Sequence, residues 1–157
     1  MVLAACGAGG PPAPARATIN EILAHNLHDA VDEAGEHEDW LELFNPGEEA
    51  ADLSGWTLVD ELGEGSHWSF PTGTVLDPGD FLVLWCDATP EQGPLHTSFQ
   101  LAADGESLLL FDADGVLVEE TRYAMLFFDE SWARVPDGAD RWQIPARPTP
   151  GRPNGAE

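Results

Sequence analysis

An all-β antiparallel sandwich is the fold class this sequence predicts, and three observations predict it. Short apolar stretches alternate with polar residues at the two-residue period of half-buried strands. Clusters of Gly, Pro, Asn and Asp separate these stretches at short intervals, as turns do. No segment sustains the apolar period of about 3.6 residues that an amphipathic helix needs.

The elements follow in chain order. ATINEILAH (17–25) alternates, with Ile19, Glu21 and Leu23 expected on one face and Asn20, Ile22 and Ala24 on the other. DWLELFNPG (39–47) turns Leu41 and Leu43 inward and ends on the loop-forming Asn45-Pro46-Gly47. SGWTLVD (54–60) and HWSFP (67–71) read as further strands. LDPGD (76–80) is a turn, because proline pre-sets φ at its first central position and glycine follows. FLVLWCD (81–87) is apolar on both faces, which predicts a central strand. SLLLFDADGVLVEE (107–120) is a hairpin about a glycine-containing turn. SWARVP (131–136) and RWQIP (141–145) are expected to close the sheets. No internal repeat is visible.

Composition narrows the function. The chain has 157 residues and is 43% hydrophobic, enough for one domain with its own core. Asp and Glu number 29 against six arginines and no lysine, for a net charge of −23. Such a surface repels a phosphate backbone, so nucleic acid is excluded as a partner, and anionic lipid headgroups are repelled as well. Cations and basic proteins are compatible with it. No apolar run approaches the ~18 residues of a membrane span. The two cysteines, Cys6 and Cys86, are too few for a disulfide-stapled scaffold, so the domain must rest on its core.

Taken together, INEILAHN, DWLELFNPGEEAADLSGWTLVD, WSFPTGTVLDPGDFLVLWCD, LAADGESLLLFDADG and PTPGRPNG resemble the lamin-tail domain. Each segment alone is weak, but their order and spacing over residues 18–155 carry the likeness. The resemblance implies an immunoglobulin-like antiparallel β-sandwich of the kind found in nuclear lamins and in secreted bacterial proteins. It implies an attachment or interaction module and no known catalytic centre. Its motif positions here are Asn20, Glu21, Asp39, Trp40, Glu42, Asn45, Gly55 and Trp56. Physically, Trp40 and Trp56 are large apolar anchors. Asn20, Glu21 and Glu42 can satisfy loop backbone groups, and Gly55 permits a backbone that a Cβ would oppose.

The N-terminus suggests a compartment. Leu3-Ala4-Ala5-Cys6 has the form of a bacterial lipobox, in which the cysteine sulfur takes a diacylglycerol. The Gly/Pro/Ala stretch from Gly7 to Arg16 cannot fold and reads as a tether. Residues 1–16 are therefore expected to be a lipoprotein-signal remnant with its tether, and residues 17–157 the sandwich. Only Met1 and Val2 precede Leu3, so the basic and apolar parts of a signal peptide are expected upstream of Met1. The domain would lie outside the cytoplasm, at the cell envelope or secreted, touching a membrane only through the lipid on Cys6. Cys86, alone in a strand, reads as a buried hydrophobe.

Chemistry-bearing residues concentrate in HNLHDAVDEAGEHEDW (25–40). Asp29, Asp32, Glu36 and Asp39 are the candidate ligands of a hard cation such as calcium, set against the plainer reading of a solvated acidic loop. His25, His28 and His37 add nitrogen donors that would suit zinc. No spacing matches an EF-hand or a zincin helix. DADG (112–115) lacks the remaining ligands of a calcium loop and reads as a hairpin turn. His67 and His96 are isolated in sequence. Trp68, Trp132 and Trp142 are the tryptophans left for an exposed sugar-binding face. The leading expectation is a non-enzymatic, envelope-tethered interaction or scaffolding module that holds an unknown protein or surface polymer and needs no cofactor. The alternatives are a cation-dependent module binding carbohydrate or surface polymer, and a hydrolase using the 25–40 loop.

Overall fold

The structure, a computed structural model, describes residues 17–60 and 67–155. Cys6 and the tether lie outside the described residues. The strands are β1 (Thr18–Leu23), β2 (Trp40–Phe44), β3 (Ala51–Asp52), β4 (Thr57–Asp60), β5 (His67–Ser69), β6 (Val75–Leu76), β7 (Phe81–Trp85), β8 (Gly105–Phe111), β9 (Leu117–Ala124), β10 (Trp132–Arg134) and β11 (Trp142–Gln143). Among the described residues there is no helix. One sheet has five strands in the order β11-β10-β1-β2-β7, another has four in the order β5-β4-β8-β9, and β3 pairs with β6. Every pairing between named strands is antiparallel.

The two larger sheets bury one core between them. Ile19, Ile22, Leu41, Leu43 and Leu84 come from the five-stranded sheet, and Leu58, Leu108 and Leu110 from the four-stranded one; all are fully buried. Each such side chain contributes about 1.5–3 kcal/mol by leaving water. Arg134 fastens the two sheets along one side. Its guanidinium donates to Glu119 Oε1 on β9 at 2.6 Å and to the Ile19 carbonyl on β1 at 2.8 Å. Gly105 opens β8 at φ +99°, and a Cβ there would lie 2.6 Å from the Tyr123 carbonyl oxygen, so only glycine fits.

Three sequence expectations are corrected. The alternation along β1 is broken by a bulge between Ile19 and Glu21, where the register against β2 shifts. Ile19 therefore joins Ile22 and Ala24 in the core, while Glu21 faces away. The strand FLVLW is an edge strand and not a central one. The following loop folds back on its free edge at Trp85. Trp85 N donates to the Leu95 carbonyl, and Thr97 N donates to that of Trp85. Such a cover hides an edge that would otherwise invite pairing. Finally, Trp68 is buried against Phe70, and Trp132 stacks on Trp142 with the Arg134 guanidinium 4.6 Å from the Trp142 ring. The three tryptophans do not form an open row.

Four local readings match the structure. DADG is the β8–β9 turn, with Asp112 Oδ1 accepting from Asp114 N and Val116 N. LDPGD closes through Asp80 N to the Asp77 carbonyl. Gly55 has φ +74°. Cys86 is a buried free thiol whose pKa burial pushes up.

Register puts three connections at one end of the sandwich. Leu23 pairs with Trp40, and Trp40 with Trp85, so segments 24–39 and 86–104 leave the five-stranded sheet together. Gly105 pairs with Ala124, which brings segment 125–131 to the same end. His25 meets Phe128 edge-on at 5.5 Å, and Asp129 accepts from the backbone N–H of Leu27 and His28.

Candidate functional site

The acidic loop after β1 is a folded segment. Asn26 organises it, donating through Nδ2 to the carbonyls of Ala30 and Glu38, while its own backbone N–H donates to Asp39 Oδ1. Asp39 is thus an internal cap, with its pKa raised by burial and held back by that hydrogen bond. Asp32 Oδ1 accepts from the backbone N–H of Ala34 and Glu36, closing a turn through Gly35 at φ +83°. This turn swings the Asp32 carboxylate inward, where it is 7% exposed.

There it meets the loop after β7. Asp87 Oδ1 accepts from Thr89 N, and Asp87 Oδ2 lies 2.5 Å from His96 Nδ1. His96 is wholly buried. Its other nitrogen, Nε2, stands 3.3 Å from Glu33 Oε1 without the geometry of a hydrogen bond. Burial pulls the imidazole pKa down, but Asp87 and Glu33 outweigh it and hold the value above the ordinary one. Ligand atoms of Asp32, Asp87 and His96 lie within 4.8 Å of one another. Asp32 Oδ2 and His96 Nε2 are both buried with no hydrogen-bond partner.

Of the four expected ligands, then, the structure brings only Asp32 into a cluster. Glu36 accepts from exposed Gln92, Asp39 caps Asn26, and the Asp29 backbone N–H donates to Asn26 Oδ1. The loop's histidines go elsewhere too: His28 pairs with Asp129, and His37 lies 3.2 Å from the Ala30 carbonyl. His96, isolated in sequence, is not isolated in space, and with Asp87 it is what sequence reasoning missed. No motif spacing announces the pair, because a nine-residue separation on an irregular loop fits no template.

A second polar cluster lies on the outer face of the five-stranded sheet. Glu21 Oε1 accepts from Ser131 Oγ at 2.5 Å, and both of its carboxylate oxygens accept from Thr149 N. Glu42 accepts from Asn20 Nδ2 and from Gly151 N. Asn20 Nδ2 also donates to Asp137, and Asn20 Oδ1 accepts from Gly138 N. Asn154 Nδ2 donates to the carbonyls of Asn20 and Arg134. Together these residues clasp the C-terminal segment onto the sheet. Burial pushes the Glu42 pKa up to about 8 and raises that of Glu21, against the hydrogen bonds each accepts. Asn45 plays the same kind of part at the next turn, donating to the carbonyls of Glu49 and Leu76. Trp40 is fully buried, and Trp56 packs half-buried on the core.

The third feature is apolar. Met125, Phe127 and Phe128 are 61%, 59% and 58% exposed on the segment after β9. Met125 and Leu126 line two adjoining grooves. One, of about 400 Å³, is also lined by Tyr123, Trp132, Ile144 and the cationic Arg122; the other, of about 230 Å³, by His25, Asp104, Phe127 and Phe128. Asp129 and Glu130 follow directly in the chain.

Fold and sites together define an immunoglobulin-like β-sandwich module whose chemistry gathers at one end. The chain belongs to the lamin-tail domain family, whose model matches residues 11–124. Strands β10 and β11 and the C-terminal segment that the clasp holds lie beyond that match, and the two strands complete the same sheet. No curated protein matches the chain.

Proposed function

We propose that this lamin-tail domain is a non-enzymatic interaction module, held at a cell envelope through a lipid on Cys6, which docks a basic, apolar-tipped protein segment on the 125–128 end. The observation that carries the reading is the run of exposed Met125, Phe127 and Phe128 on a chain with net charge −23. Contiguous exposed apolar side chains rimmed by charge mark interaction surfaces. Asp104, Asp129 and Glu130 make the rim acidic, which selects a partner of opposite sign. The lipobox-like Leu3-Ala4-Ala5-Cys6 and the Gly/Pro-rich stretch behind it support the tethered placement.

Two experiments test this reading. A labelled peptide alternating arginine and leucine is titrated into the wild type and into Phe127→Ser/Phe128→Ser. The expected result is saturable binding that weakens with salt and is lost in the variant, with stability kept within about 0.5 kcal/mol because the replaced rings are exposed. Equal binding by the variant, or self-association of the wild type through this end, overturns the docking surface. Separately, the gene is expressed with its upstream region and detergent partitioning is followed. Loss of partitioning in Cys6→Ala supports the anchor; unchanged partitioning refutes it.

A further inference from the structure

We infer that Asp32, Glu33 and His96 form a zinc site that joins the 24–39 and 86–104 connections, with Asp87 orienting the histidine. Ligand atoms of Asp32, Asp87 and His96 converge within 4.8 Å, and Asp32 Oδ2 and His96 Nε2 are buried without a hydrogen-bond partner. A buried polar atom without a partner costs roughly 1–3 kcal/mol, so the arrangement calls for something between them.

The geometry selects the occupant. Asp87 engages His96 Nδ1, leaving Nε2 3.3 Å from Glu33 Oε1, and Asp32 lies in the same cluster. A carboxylate on one imidazole nitrogen and a metal on the other is the usual outer-shell arrangement of zinc histidines. Tetrahedral zinc ligands, each ~2.0–2.1 Å from the ion, lie ~3.3 Å from one another. The observed distance from His96 Nε2 to Glu33 Oε1 is 3.3 Å. Calcium wants about six to eight oxygens and has no use for an imidazole. Gly93 lines the same space: a Cβ there would sit 2.9 Å from Glu33 Oε1 and 3.5 Å from His96 Nε2. The Glu33 side chain is 60% exposed, which gives the ion an entry path and leaves a fourth position for water.

The test uses the full chain, stripped with EDTA and titrated with zinc alone by calorimetry and thermal melts. One zinc per chain and a melting temperature raised by several degrees are expected. Asp32→Asn and His96→Gln should abolish the shift, and Asp87→Asn should weaken affinity by roughly 10–100-fold. Cobalt(II) in place of zinc should give the intense visible bands of a tetrahedral site. If His96→Gln does not fold, Asp32→Asn carries the same test, because it keeps the Oδ1 acceptor for Ala34 and Glu36. Zinc uptake by His96→Gln or Asp32→Asn equal to that of the wild type would show binding to scattered surface carboxylates and overturn the site. So would equal stabilisation by calcium at the same concentration.

Discussion

Two clusters of buried acids in this molecule are finished to very different degrees. On the outer face of the five-stranded sheet, Glu21 and Glu42 accept hydrogen bonds from Ser131, Thr149, Asn20 and Gly151, and both oxygens of each carboxylate are used. At the loop end, Asp32 uses one oxygen and leaves the other buried without a partner, and His96 bonds Asp87 through Nδ1 while Nε2 stands 3.3 Å from Glu33 without the geometry of a hydrogen bond. Fully connected polar networks fix a structure, whereas half-connected ones are costly unless something else completes them. The first cluster is therefore a clasp, and the second has the character of a binding site.

The sharpest way to break that contrast is to remove a charge from the clasp. Glu21→Gln sets an amide N–H₂ against donors that a carboxylate oxygen now accepts from, and of these only the Thr149 hydroxyl has a second acceptor, Asn154 Oδ1. A loss of roughly 3–5 kcal/mol is expected by urea unfolding. In a domain of this size that corresponds to a fall in melting temperature on the order of 10 °C. A loss under about 1 kcal/mol would show that the clasp is loosely held.

Glu42 sharpens the comparison through pH. Its pKa is raised in the folded state from 4.5 to about 8. Folded protein therefore holds the proton more tightly than unfolded chain does. The stability this contributes is complete below pH 4.5 and is lost as pH rises through about 8. Glu42→Gln removes that dependence. The variant should be less stable than wild type at pH 5, by about 1–3 kcal/mol for the lost acceptor, and the gap should narrow toward pH 9. Taking the difference between the two proteins cancels the repulsion among the other carboxylates. A gap that is constant with pH contradicts the assignment. A smaller effect is expected from Thr149→Val, which removes the hydroxyl shared between Glu21 Oε2 and Asn154 Oδ1 but keeps the backbone donor. About 1 kcal/mol should be lost.

The two clusters also differ in how far the sequence exposed them. Glu21, Glu42 and Asn20 sit on strands whose alternation is plain, so their place on one sheet was readable beside their family motif. What they hold was not, because Thr149 and Asn154 lie more than a hundred residues away. Even the alternation of β1 misled at one point, since the bulge that places Ile19 in the core sits at Asn20, whose partners Asp137 and Gly138 are distant in sequence. For the loop cluster, residue type pointed to the right stretch, and Asp32 belongs to it. Carboxylate density alone could not separate Asp32 from Asp29, Glu36 and Asp39, because the turn through Gly35 decides which of them points inward. Asp87 and His96 reach it only through the fold-back along β7, which no local pattern encodes.

The most direct test of the contrast is the metal-free stability of Asp32→Asn, measured by urea unfolding in EDTA beside the wild type. The substitution keeps the Oδ1 acceptor for Ala34 and Glu36 and replaces only Oδ2, the buried oxygen that has no hydrogen-bond partner. The account predicts stability equal to or above that of the wild type, with no net loss beyond about 0.5 kcal/mol. A loss on the order of 3 kcal/mol, comparable to that of Glu21→Gln, would mean that the Asp32 carboxylate is held as firmly as the clasp, and would contradict the division between the two clusters.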